Sequence, residues 1–309
     1  MRLDNKMVMA GLWLTMVVGS VPANAQPVVG ASPSRQELAR RAAWETANPL
    51  YARAVAAAAI RNFGLAQELL KALSDEGNLS AKATLGKILS SGETTTDYPT
   101  AFRLFSEAAA GGEVTGQFNI GVFYRDGKVV GKNAAVAFLW FAAAAEQDFA
   151  PAQNALSILY ERGEGVAKND ERAAYWGMKA AQSGNARYQD RLGRLYEGGI
   201  GLPKDYGLAF HWYEKAAGQY NSSGQFNLAR LYELGAGTAV NYDKAFGLYM
   251  ASAKQGLPVS ELAVARSYQY GLGTAQRMQK PWNGFARRLT MAWLKRSSTS
   301  DRYSPTASS

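Results

Sequence analysis

Residues Leu231–Tyr249 read LYELGAGTAVNYDKAFGLY, a G-x-G set between two runs of helical character. A glycine loop that cradles a phosphate would point to an enzyme. A glycine turn that only reverses the chain would point to a scaffold. The dinucleotide fingerprint needs a third glycine and a preceding strand. Position 240 is Val, and the run before the loop, QFNLARLYEL (Gln225 to Leu234), places Phe226, Leu228, Leu231 and Tyr232 at helical spacing with small Ala229 among them. The run after it, Tyr242 to Lys254, sets Ala245, Leu248, Tyr249 and Ala253 on one face.

Working outward, Tyr232 belongs to a series. Tyr124, Tyr160, Tyr196, Tyr232 and Tyr268 stand 36 residues apart. Three places after each comes Gly127, Gly163, Gly199, Gly235 or Gly271, and a second loop glycine recurs as Gly165, Gly201, Gly237 and Gly273. Alanines repeat as Ala137, Ala173, Ala209 and Ala245, and large rings as Trp140, Trp176 and Trp212. Asn133, Asn169, Asp205 and Asn241 fall at the expected start of each second helix, where an N-cap is wanted. An earlier unit aligns with a one-residue slip through Gly86, Gly92, Ala101 and Phe102. Glycine reaches φ > 0 without a Cβ penalty and so ends helices well. One helix pair cannot bury its apolar face alone, so such pairs stack. The expected fold is an all-α, right-handed solenoid of antiparallel helix pairs. Gly163, Gly165, Gly199, Gly201, Gly235 and Gly237 then serve structure, as do the tyrosines.

These columns, clearest in ARYQDRLGRLYEGGIGLPKDYGLAFHWYEKAA (Ala186 to Ala217), resemble the Sel-one-like repeat family, relatives of the tetratricopeptide repeats. The resemblance covers residues 79–273, with a degenerate capping repeat at 50–78. It implies a scaffold that recognises other proteins. Many bacterial members are exported, and some regulate envelope signalling or exopolysaccharide production. Cysteine-rich members bind β-lactams, and this chain has no cysteine.

The rest of the sequence narrows the setting. Its 309 residues are 47% hydrophobic and 19% charged, a composition able to bury a core. Residues 1–25 read as a secretory signal: Arg2 and Lys6, then the apolar run Met7 to Val21, then Ala23-Asn24-Ala25 as a cleavage site. The apolar run is short for a retained membrane span. Export to the periplasm or beyond the cell is expected, with cleavage after Ala25, and residues 26–49 are expected to form a flexible N-terminus and a leading helix. The net charge of +9 is uneven, with +6 in residues 274–309 and only +2 in 26–273. A wide basic face for nucleic acid is therefore not expected. In the tail, Trp282–Arg296 spaces Trp282, Phe285, Leu289 and Trp293 along one helical face. It reads as a cap on the last repeat, or as a basic amphipathic helix in peripheral contact with anionic lipid.

No cofactor, metal or catalytic set is expected. The one histidine, His211, occupies a column filled elsewhere by Leu139, Tyr175 and Gly247, and suits a surface or structural role. Glu161, Glu197 and Glu233 form a ladder near helix ends, read as a solvated face rather than paired acid–base carboxylates. Arg194, Arg230 and Arg266 form another column, two places before the tyrosine. First helices line the concave face in the related tetratricopeptide solenoids. With Arg191, Gln225 and Asn227, this row could clamp acidic side chains or a C-terminal carboxylate of a protein partner. The plainer reading pairs Arg194 and Arg230 with Glu197 and Glu233 three residues on. A cell-wall enzyme and a surface-associated structural protein held by its tail are the alternative functions.

Overall fold

Most helices begin on a side-chain cap and, in most repeats, the first helix of a pair ends on a glycine. In the computed structural model, which describes residues 48–274 together with 40, 43 and 44, these signals delimit thirteen helices, and no strand occurs among the described residues. The signal segment, the cleavage site, most of the leading segment and Trp282–Arg296 lie outside the described residues.

The helices fall into two compact units, one ending at Asn169 and the other starting at Asp170. The first holds α1 (Pro49–Ala59), α2 (Phe63–Asp75), α3 (Leu79–Ser90), α4 (Tyr98–Ala110), α5 (Val114–Asp126), α6 (Ala134–Ala145) and α7 (Ala150–Arg162). The second holds α8 (Asp170–Ala181), α9 (Ala186–Gly198), α10 (Tyr206–Gly218), α11 (Ser222–Leu234), α12 (Tyr242–Lys254) and α13 (Pro258–Tyr270). Within each unit every helix packs on the next in sequence, and in the second unit the first helices α9 and α11 also touch. This is an α-solenoid of stacked helix pairs.

The loop that joins a pair has a fixed construction. Gly127, Gly163, Gly199, Gly235 and Gly271 are left-handed C-caps, with φ of 72°, 68°, 68°, 67° and 68°. Asn133, Asp205 and Asn241 cap the next helix, accepting from the N–H of Val136, Leu208 and Lys244 at 3.0, 2.8 and 2.9 Å. Each cap residue's own N–H donates back to a column tyrosine: Asn133 to Tyr124 O, Asn169 to Tyr160 O, Asp205 to Tyr196 O and Asn241 to Tyr232 O, at 2.8–3.0 Å. Tyrosine and cap therefore close one loop, which explains why both columns keep the same period.

The second loop glycine has a different duty. A Cβ built on Gly165, Gly201, Gly237 or Gly273 would lie 2.2, 1.8, 2.3 or 2.1 Å from the carbonyl oxygen of Ala134, Asp170, Tyr206 or Tyr242. Those carbonyls belong to the first residue of the preceding repeat's second helix. Stacking thus brings loop backbone against helix backbone with no room for a side chain.

The core fills around alanine. Ala137, Ala173 and Ala209 are fully buried. Where first and second helix of a pair cross, a small residue faces a ring: a Cβ on Gly121 would meet Phe141 at 2.7 Å, and one on Gly193 would meet Tyr213 at 2.6 Å. The column tyrosines stack edge-on against a phenylalanine of the preceding second helix: Phe102–Tyr124, Phe138–Tyr160, Phe210–Tyr232 and Phe246–Tyr268, with centroids 5.2–6.3 Å apart. The recurrent Ala-Phe dipeptides at 101–102, 137–138, 209–210 and 245–246 are the sequence signal for these partners.

Candidate functional site

The polar face of the second unit is built on α9 and α11. Along α9, Arg187, Arg191 and Arg194 follow a helical stripe. Arg187 and Arg194 are exposed, while Arg191 is half-buried and engaged within the protein. Asp190 lies beneath them, only 3% exposed. Its Oδ1 accepts from Asn227 Nδ2 of α11 at 2.7 Å, and its Oδ2 stands 3.5 Å from Arg194 Nε. Burial pushes the Asp190 carboxyl above its ordinary value; Arg194 and Asn227 oppose the rise and Glu197 adds to it.

These residues border an open groove of about 470 Å³. Arg187, Asp190 and Arg194 form one wall, Tyr220 and the turn at Asn221, Ser222 and Ser223 another, and Gln255 reaches in from the next loop.

The arginine column does not act as one unit. Arg230 Nη2 donates to both carboxylate oxygens of Glu197, at 2.5 and 2.6 Å, and Arg266 Nη2 does the same to Glu233, at 2.7 and 2.6 Å. Each pair joins the first helix of one repeat to that of the next. The expected pairing three residues on within one helix does not form, because each glutamate is already held from its own repeat. Tyr213 Oη donates to Glu197 and Tyr249 Oη to Glu233, both at 2.7 Å. Glu197 and Glu233 consequently keep only 16% and 15% of their side-chain surface, not the solvated face that the ladder suggested. Burial and the adjacent carboxylates push the two tyrosine hydroxyls well above their ordinary value.

Two further expected groove residues face inward. Gln225 is 5% exposed, and its Oε1 accepts from Gln255 Nε2 at 2.8 Å. Gln189 and Gln117 accept in the same way from Gln219 and Gln147, at 2.8 Å each. Gln225 is therefore a repeat brace, and the column Gln117, Gln153, Gln189, Gln225 was its unread signal. Asn227 spends its amide on Asp190. Of the six residues expected to form the groove, Arg194 alone lines the open one. Arg187, Tyr220 and Gln255 line it without having been expected. His211 is exposed on α10, its ring against Trp212.

Comparison with known proteins places this architecture. The Sel1 repeat matches five consecutive segments, 81–113, 114–149, 150–185, 186–221 and 222–257, together more than half of the chain. A Sel1 repeat protein from Oxalobacter formigenes is similar in structure, with 25% identity, a TM-score of 0.69, and coverage of 83% of this chain and 98% of that one. So is c5321, described as a protective antigen of uropathogenic Escherichia coli strains with an SLR fold: 28% identity, TM-score 0.63, 76% of this chain and 49% of that one. The chain thus spans about half the length of that antigen. A search among curated proteins finds no match. The five matched repeats show that the chain belongs to the Sel1 repeat family, whose members generally mediate protein–protein interactions and are typically non-catalytic scaffolds.

Proposed function

We propose that this chain is an exported bacterial scaffold that captures a protein partner in the periplasm or outside the cell, without covalent chemistry of its own. One observation carries the reading. The repeat columns are consumed by packing and loop closure, whereas exposed Arg187, Arg194 and Tyr220 line an open groove of the second unit. The leader pattern of residues 1–25 supports export. The likeness to a protective antigen accords with it. Regulation of an envelope signalling or exopolysaccharide system is the role we propose for the captured complex, by family resemblance.

The test has two readouts. Bacteria expressing the full chain are fractionated, and the protein's N-terminus is determined by mass spectrometry. A periplasmic or secreted product starting at Gln26 is expected, and a cytoplasmic product retaining its leader would refute export. The mature protein is then used as bait on envelope extract, beside a charge-reversed Arg187→Glu/Arg194→Glu protein of unchanged helicity. A partner retained only by the unaltered protein is expected. Identical capture by both would remove the groove from the reading.

A further inference from the structure

One residue of the groove breaks the repeat's own rule. The turn from a second helix to the next first helix carries Gly77, Gly112, Gly184 and Gly256 at equivalent places, with φ between 75° and 89°. Asp148, a residue type that tolerates this region, fills one more, at φ 60°. At the remaining place stands Tyr220, φ 58° and 79% exposed. A bulky residue held in the left-handed region is strained, and nothing in the packing demands the ring, which projects into solvent. A Cβ on Gly184 or Gly256 would meet nothing within 4 Å, so the turn has space for a side chain and the strain is torsional.

Tyr220 lines the groove together with Arg187 and Arg194. Those arginines are seven residues apart on one helix, a separation of about 10 Å along its axis. An extended peptide in the polyproline II conformation rises about 3.1 Å per residue with three residues per turn, so side chains three residues apart lie on one face about 9 Å apart. The carboxylate within the groove wall, Asp190, is buried and committed to Asn227 and Arg194, where it orients Arg194. We infer that the groove takes an extended acidic peptide segment, with two carboxylates about three residues apart seated on Arg187 and Arg194, and with Tyr220 as an aromatic platform kept against its backbone preference for that contact. This rests on the protein-binding reading and specifies its partner's chemistry.

Full-length protein and three variants are panned against a random peptide library, and their urea midpoints are measured. Val129→Gly is the control. Val129 is likewise strained, at φ 65° where later repeats carry the second loop glycine, but it borders no part of the groove. The unaltered protein should enrich peptides with paired acidic residues, and glutamine replacements in them should abolish capture. Arg187→Glu/Arg194→Glu should lose the enrichment. Tyr220→Gly should raise the urea midpoint yet weaken capture roughly tenfold. Val129→Gly should raise the midpoint and leave capture unchanged. Enrichment of peptides lacking acidic pairs, no enrichment, undiminished capture by Tyr220→Gly, or a midpoint that fails to rise in Tyr220→Gly would each overturn the inference. Binding of polygalacturonate with no peptide enriched would reassign the groove to an anionic polysaccharide. If peptides fail while the envelope partner is still retained by the unaltered mature protein alone, this inference falls and the scaffold reading stands.

Discussion

At the residue scale, two glycines of one loop differ in kind although the sequence presents them as a single G-x-G. Gly199 is a C-cap: an alanine Cβ there would sit 3.2 Å from Lys204 Cβ, and the cost is mainly the left-handed backbone. Gly199→Ala should lower stability by about 1 kcal/mol. Gly201 has the same handedness, but its Cβ would fall 1.8 Å from the Asp170 carbonyl oxygen. Backbone of two elements must separate, so Gly201→Ala should cost roughly 2–5 kcal/mol, combining strain with overpacking. Urea titrations of the two single variants, with helicity as the signal, compare them directly. Equal midpoints would show that the close approach relaxes at no expense. Periodicity revealed that both positions are glycine for structural reasons. It could not separate them, because the second glycine's neighbour is 31 residues away in the chain.

At the element scale, the Tyr213–Glu197–Arg230 and Tyr249–Glu233–Arg266 groups tie a second helix, its own first helix and the next first helix together. The equivalent rings Phe105 and Phe141 show that the cavity accepts phenylalanine, so Tyr213→Phe removes little besides the hydroxyl. Loss of a hydrogen bond to a carboxylate with 16% of its side chain exposed should cost about 1–2 kcal/mol. Arg230→Met should cost less on its own, since its side chain is 36% exposed and water takes over part of its role. The double variant should be non-additive, because both donors serve one acceptor, and a double-mutant cycle in urea measures this. Asp190 gives the pH dependence. Its carboxyl is raised in the folded state, so the folded protein binds the proton more tightly than the unfolded chain does. Ionisation therefore costs stability as pH rises from about 3.9, the unfolded value, through the raised folded value, and the full cost stands above both. Asp190→Asn keeps an acceptor for Asn227 and removes the charge. It should melt above the unaltered protein at neutral pH, and the gap should close as pH falls below about 4. A gap independent of pH would mean that Arg194 and Asn227 already compensate the buried charge. Sequence inspection favoured pairs three residues apart on one helix because only those lie close in the chain. The pairs that form span 33 residues, and they become visible only once consecutive first helices are placed side by side.

At the scale of the molecule, the period made the fold legible and hid the site. A column repeated every 36 residues reports what all repeats share, which is packing, capping and loop closure. Tyr232, Gly235, Asn241 and Ala245 were readable for that reason. Recognition depends on what one repeat does alone. Tyr220 escaped notice because it is an exception to a glycine column, and Arg187 because its equivalents are Pro151 and Ser223. This division predicts that fold and recognition can be separated by excising one period. Deleting 186–221 removes α9, α10, Arg187, Arg194 and Tyr220 together and joins Asn185 to Ser222. α8 would then meet α11, which offers Leu228, Ala229 and Leu231 where α9 offered Leu192, Gly193 and Leu195. Because repeat stability is a sum of local units and nearest-neighbour interfaces, the shortened chain should stay helical and cooperative, with lower stability and a smaller urea dependence. It should also lose capture of acidic peptides. A deletion of 186–218, three residues short of the period, keeps Tyr220 and only lengthens the loop between α8 and α11 by Gln219, Tyr220 and Asn221, so it should unfold as cooperatively as the 36-residue deletion, with a stability lower by well under about 1 kcal/mol. Circular dichroism and urea titration of the two deletions decide between a stack of interchangeable units and a core that needs this repeat in particular. If both collapse, α9 and α10 carry packing that α11 cannot supply, and the small difference between Gly193 and Ala229 opposite the Tyr213 and Tyr249 rings is where the mismatch would lie.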